Sequence, residues 1–212
     1  MYRPALIGSG PNALINVIET QSLIKQGQKN AGIMFSCIVA PTGDIVWSSA
    51  YRGGPESKLL EQEVLKRLAS VKFIPAIRNH QPVTAEFYGT VEFAVVDGKP
   101  RLRIFANQQL EELKQAHDFI GPQPYFGADS KFDGFHYPDT GSPVAVTGNA
   151  DVALTVDVEG NLKDIRLVSE YPPLLGFGEA AVLDFRKAKF IPAFRNGQPV
   201  ESTVILPAFY RP

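Results

Sequence analysis

The sequence has a single cysteine among its 212 residues, so no internal disulfide can staple the fold. Cys37 falls in the alternating run Ile33, Phe35, Cys37, Val39, which predicts a small buried hydrophobe rather than a reactive thiol. Its rarity leaves the compartment open. Long apolar runs are missing too: none approaches the roughly 20 residues that a membrane helix needs, and no basic start with an apolar stretch opens the chain. A cytoplasmic protein is expected if Met1 is the native start, and a periplasmic or secreted one if an export or anchor segment has been removed. Charge of one sign is also lacking. With 21 Lys and Arg against 22 Asp and Glu the net charge is −1, which gives no field to attract nucleic acid or an anionic membrane.

Catalytic constellations are equally scarce. The three histidines, His80, His117 and His136, are scattered over a turn, a helix and a loop without metal-ligand spacing. No serine sits in a nucleophile elbow, and Cys37 has no activating neighbour in sequence. The GSG at 8–10 lacks the Walker lysine and the dinucleotide spacing, and reads as a flexible lead-in. Asp129, Asp133 and Gly134 lack the alternating oxygens and closing glutamate of a calcium loop. No catalytic residue, metal or cofactor is expected.

What the chain does have is a repeated phrase. KFIPAIRNHQPV at 72–83 returns as KFIPAFRNGQPV at 189–200, 117 positions later. At that offset the register runs without a gap from Gly32–Val83 to Asn149–Val200. Ile33, Phe35, Cys37 and Val39 fall on Ala150, Val152, Leu154 and Val156, and Gly43 falls on Gly160. Leu60, Val64, Leu65 and Leu68 recur at helical steps and fall on Phe177, Ala181, Val182 and Phe185. These patterns predict an internal duplication of a whole unit: strand, glycine turn, strand, helix, and a final strand.

Within each unit Phe73 or Phe190 is expected to plug the core, with the following proline ending the helix region. Asn196-Gly197 suits a tight turn at positive φ, and His80 in place of that glycine predicts a different or a strained turn. The first unit gains a hairpin through Asp97-Gly98, pairing 83–96 with 101–106. An amphipathic helix is expected within 11–24 and another over 108–120. The aromatic, Gly/Pro-rich stretch 121–147 is expected to pack as an irregular loop. The domains read as 1–120, 121–147 and 148–212.

The succession of elements, with Tyr137-Pro138, Gly148, Gly160, Phe190-Ile191-Pro192-Ala193, Asn196-Gly197 and Pro199-Val200, resembles the C-terminal domain of TonB energy-transducer proteins over Tyr137 to Phe209. The segment after Tyr137-Pro138 departs from that pattern, carrying Gly141 and Pro143 instead of a helix. The resemblance implies an α+β fold: two tandem TonB C-terminal-like αβ units, each an antiparallel sheet with a helix on one face, the first with an extra hairpin strand. It implies a non-enzymatic periplasmic module that takes an extended peptide of an outer-membrane protein by strand addition. The expected edge is Val200, Glu201, Ser202, Thr203, Val204, Ile205 and Leu206, left vacant because no hairpin partner follows in sequence. A second-choice surface combines Arg101 and Arg103 with Tyr125, Phe126, Phe135 and Tyr137. The competing expectation is an assembly protein whose units pair with each other or across a homodimer.

Overall fold

The computed structural model describes residues 1–115, 118–139 and 146–212; His117, Gly141 and Pro143 lie outside them. The first half runs β1 (Tyr2–Arg3), α1 (Leu14–Val17), α2 (Thr20–Lys25), β2 (Ala31–Val39), β3 (Ile45–Tyr51) and α3 (Lys58–Leu68). It closes with β4 (Ala76–Arg78), β5 (Gln81–Val83), β6 (Ala85–Val96) and β7 (Lys99–Phe105). After α4 (Leu110–Leu113) come β8 (Phe119–Ile120) and β9 (Gln123–Tyr125). The second half continues with β10 (Gly148–Val156), β11 (Leu162–Tyr171), α5 (Phe177–Lys187), β12 (Lys189–Ile191), β13 (Ala193–Arg195), β14 (Gln198–Val200) and β15 (Ser202–Tyr210).

The architecture is mixed α+β and built on antiparallel strands, as the resemblance implied. Leu60, Val64 and Leu68 of α3 close over Ile33, Phe35, Cys37 and Phe87 in one core. Phe177, Ala181 and Phe185 of α5 close over Val152, Leu154, Val204 and Leu206 in the other. Both helix starts are held by long side chains: Gln28 accepts the Leu60 amide at 2.8 Å, and Glu170 accepts the amides of Leu174 and Gly178 at 2.6 Å. The carboxylate also complements the positive end of α5.

Pairing registers recur at one offset. Cys37 stands opposite Phe87 as Leu154 stands opposite Val204, and Tyr2 opposite Arg78 as Phe119 opposite Arg195. Each β-hairpin carries a register shift one residue from its end, at Ile38/Val39 and at Thr155/Val156. Gly43 and Gly160 explain part of the repeated phrase. Both have positive φ, 84° and 79°, and a Cβ there would lie 2.2 Å from the Phe73 carbonyl oxygen and 2.0 Å from that of Phe190. Their own carbonyls accept the Phe73 and Phe190 amides at 2.8 and 2.9 Å. The phrase therefore docks its phenylalanine backbone onto a glycine turn while the ring, 3% exposed at Phe73 and 0% at Phe190, fills the core.

Several local expectations give way. The helix predicted within 11–24 is two short pieces, broken at the extended Ile18, where β-branched Val17 and Ile18 disfavour continuation and Glu63 takes the Glu19 amide at 3.0 Å. Ahead of the GSG at 8–10, which belongs to no strand or helix, the chain is already paired: β1 lies on β4, and Leu6 bridges Ile74. The helix predicted over 108–120 shrinks to α4, with Leu110 61% exposed and Phe119–Ile120 drawn into pairing with β13. Asn79-His80 adopts the same turn as Asn196-Gly197, with φ of 48° and 66° against 50° and 76°, so the strained alternative is the one realised.

The described part of the expected loop, 121–139, is woven through both halves. β9 pairs with β12 and touches β6 at Ala85–Tyr125, making a six-stranded sheet. The Gln123 carboxamide takes both backbone groups of Ala5, at 2.7 and 3.0 Å. Tyr125 and Ile191 belong to the first core, Phe132 to the second. The sheets turn the faces away from their helices toward each other: the Tyr51 and Phe209 rings lie 4.6 Å apart, Arg52 pairs with Asp151, and Tyr88 reaches into the second core.

Candidate functional site: an edge groove and an aromatic cleft

β15 lies at the edge of the sheet β11-β10-β15, and among the described residues no strand pairs with its outer side. The Ile205 amide and carbonyl point outward, and there the Gln109 side chain meets them, both hydrogen bonds at 3.3 Å. By the two-residue alternation of an antiparallel pair, Thr203, Pro207 and Phe209 also direct their backbones outward. Pro207 offers no N–H, so it interrupts the row of outward donors between Thr203 and Ile205 at the start of the strand and Phe209 near its end.

Of the expected edge, Val204 and Leu206 are buried core residues, while Glu201, Thr203 and Ile205 face solvent. Val200 is a correction: it ends β14 and pairs with Ala193 in a separate small sheet, since the chain breaks at Glu201. The reason given for the vacancy also needs correcting. β7 covers Thr90–Val96 of β6, a stretch that corresponds at the 117 offset to the chain after Leu206 and not to 200–206. A groove of about 470 Å³ runs beside β15, lined by Gln109, Arg52, Glu112, Arg195, Ser202 and Thr203 among others. Glu112 and Arg195 form an ion pair within it, and Arg195 stacks over Phe119 at 4.9 Å.

The second-choice surface does not assemble as one patch. Arg101 and Arg103 lie on β7, where Arg103 covers the Phe105 ring at 4.7 Å and approaches Glu92 at 3.8 Å. Tyr125 is fully buried, its hydroxyl donating to Asp129 at 2.5 Å beneath the Arg78 guanidinium. Burial tends to raise the Asp129 carboxyl, but the Tyr125 hydroxyl and Arg78 hold it below the ordinary range. Phe126, Phe135 and Tyr137, in contrast, do come together. They wall a cleft of about 460 Å³ with Trp47, Phe209 and Glu86.

The cleft wall is fixed from behind. Buried Asp184 on α5 accepts the His136 backbone amide at 2.8 Å, faces its Nδ1 at 3.0 Å and receives Lys187 at 2.9 Å. At the floor stands Glu86, 2% exposed, and burial pushes its carboxyl up to about 8, the nearby Tyr88 and Ser36 hydroxyls opposing only in part. Sequence reading missed Glu86, Trp47 and Gln109. Gln109 carries no signal. The other two had one: Met34 and Ile38 together with Trp47 and Tyr51 make the back of the first sheet too apolar to face water.

Cys37 is fully buried, and burial pushes its thiol well up, as expected of a core hydrophobe. His80 occupies its turn, and His136 lies behind the cleft wall against Asp184. Among the described residues no group of acids, cysteines and histidines is arranged to hold a metal, and no helix is long and apolar enough to cross a membrane.

A search of curated proteins finds no match to the chain. Against protein families, residues 134–212, which run from the cleft wall through α5 and the edge strand, match the Gram-negative bacterial TonB protein C-terminal and form a TonB-like domain.

Proposed function

We propose that the protein is a non-catalytic binding module of the cell envelope, made of two tandem TonB-like units, that takes an extended protein segment along β15. The tandem reading is supported by the registers that recur at one offset in β2–β6 and β10–β15 and in β1–β4 and β8–β13. Periplasmic placement and an outer-membrane protein as partner follow from the family to which 134–212 is similar.

The observation that carries the strand-addition reading is Ile205. Its amide and carbonyl are held by one side chain through two long hydrogen bonds, where a peptide strand would offer the same two groups from its main chain. Gln109 acts as a one-residue stand-in that an incoming strand displaces. Because Pro207 and Glu201 bound the usable edge, the segment bound is short, and Thr203 and Ile205 supply the main-chain contacts.

The test is selection of extended peptides on the immobilised protein, followed by titration monitored at the Thr203 and Ile205 amide resonances. Ile205→Pro removes an outward N–H without breaking the β10 ladder and should abolish binding. Gln109→Ala should strengthen it. Peptides that bind the Ile205→Pro protein as well as the parent would place the site elsewhere.

The competing reading, an assembly protein whose units are each other's partners, is favoured by the seam between the halves, where Ala5 is held by Gln123 and Tyr2 donates to the Glu159 carbonyl at 2.8 Å. Light scattering together with an empty peptide selection would support that reading instead.

A further inference from the structure

Glu86 is a buried acid without a counter-charge. Among the described residues no ion pair reaches its carboxyl; the flanking Ser36 and Tyr88 hydroxyls offset its burial only in part, and neither forms a close hydrogen bond. The titratable groups around it are Tyr88 on its own strand, Cys37 on β2 and Tyr51 on β3, none of them a cation. Arg52 is committed to Asp151. Arg211, among the described residues the one cation lining the cleft, is exposed at the rim and donates to Ser49 at 3.4 Å. Leaving a buried carboxyl unpaired is costly, and a ligand that pairs it recovers that cost.

The walls add a second condition. Trp47, Phe126, Phe135, Tyr137 and Phe209 present aromatic surface, which attracts cations through the negative faces of the rings. An anion would gain no counter-charge from Glu86, and a wholly apolar ligand would leave it unpaired. The volume, about 460 Å³, is that of a small-molecule site. We propose that the cleft binds a small organic amine, its ammonium group against Glu86 and its apolar body among Trp47, Phe126, Phe135 and Phe209.

A free amine fits better than a lysine of a bound peptide, because the cleft and the edge groove have no lining residue in common. A peptide lying along β15 does not thereby feed a side chain to Glu86. The site is independent of the strand-addition reading.

Trp47 is the sole tryptophan, so its fluorescence reports on this cleft alone. Titration with 2-phenylethylamine should give a saturable change, and 2-phenylethanol, of the same shape without the charge, should bind at least about tenfold more weakly. At pH 7 the incoming ammonium should expel the proton of Glu86, so calorimetry in buffers of different ionisation enthalpy should record release of close to one proton. Glu86→Gln should cost about tenfold or more for the amine and little for the alcohol. Equal affinity for amine and alcohol in the unmodified protein, or no proton release, overturns the proposal even if the Glu86→Gln protein fails to fold. A lysine tripeptide that binds more tightly than the amine overturns the free-amine assignment.

Discussion

Replacing Glu86 by glutamine should flatten the dependence of stability on pH. Burial raises the folded-state carboxyl from 4.5 to about 8, so the sign is opposite to that of a salt-bridged acid. Below pH 4.5 the group is neutral in both states and its burial carries no charge penalty. Between 4.5 and about 8 the unfolded chain has released a proton that the folded chain still holds, so unfolding gains ground as pH rises. Above about 8 the penalty is complete. A difference of about 3.5 units at ~1.4 kcal/mol each caps the loss at about 5 kcal/mol, and water entering the cleft reduces it to the order of 2–5.

Such a loss is large beside a total stability of roughly 5–15 kcal/mol. Asp44, Asp129 and Asp157 are held below their ordinary values, so their contribution is lost only as pH falls below that window. Urea unfolding midpoints at pH 5, 6.5, 8 and 9 supply the measurement. The parent should lose stability from pH 5 to 8 and level off towards 9, and the Glu86→Gln protein should lack that fall. Parallel curves for the two proteins would refute the reasoning, since the titrating group would then be another.

His80→Gly relieves a side chain held at φ of 66° and should add about 1 kcal/mol, or about 2–4 °C in Tm; calorimetry showing no gain would mean that the turn is unstrained. Gly160→Ala and Gly43→Ala each drive a Cβ into a phenylalanine carbonyl and should both cost about 2–4 kcal/mol in denaturant titrations. A harmless alanine at either position contradicts the docking role given to the repeated phrase. Phe190→Ala should cost about 3–5 kcal/mol, and a midpoint close to that of the parent would show that the ring is not a core plug.

The strands and long helices were legible because their apolar periods are strong. The alternation through Cys37 and the helical steps through Leu60 to Leu68 both found their cores. The short lead strands were not, because Tyr2-Arg3 and Phe119-Ile120 are dipeptides whose order comes from a partner far along the chain. The helix written into 108–120 failed for a related reason: tertiary pairing of Phe119 outweighed a weak local propensity. At the candidate site, the outward positions of β15 followed from alternation, but Gln109 could not, since a polar side chain on a short helix carries no mark of the backbone it will meet. Glu86 alternates with the core residues Ala85 and Phe87, and nothing in its own strand marks that the helix-free face meets a second sheet.

The seam through Gln123 also bears on time. Ala5 pairs with a side chain 118 positions later, so the N-terminal segment cannot complete its hydrogen bonding until that residue has been made. At roughly 5–20 residues per second, the first core stands open along one side for on the order of ten seconds of synthesis. The missing wall comprises Gln123–Tyr125 and, later still, Ile191. During that interval the lower end of β6 is an unpaired edge beside exposed phenylalanine, so the hazard of misassembly is set by the pace of translation more than by the stability of the finished protein.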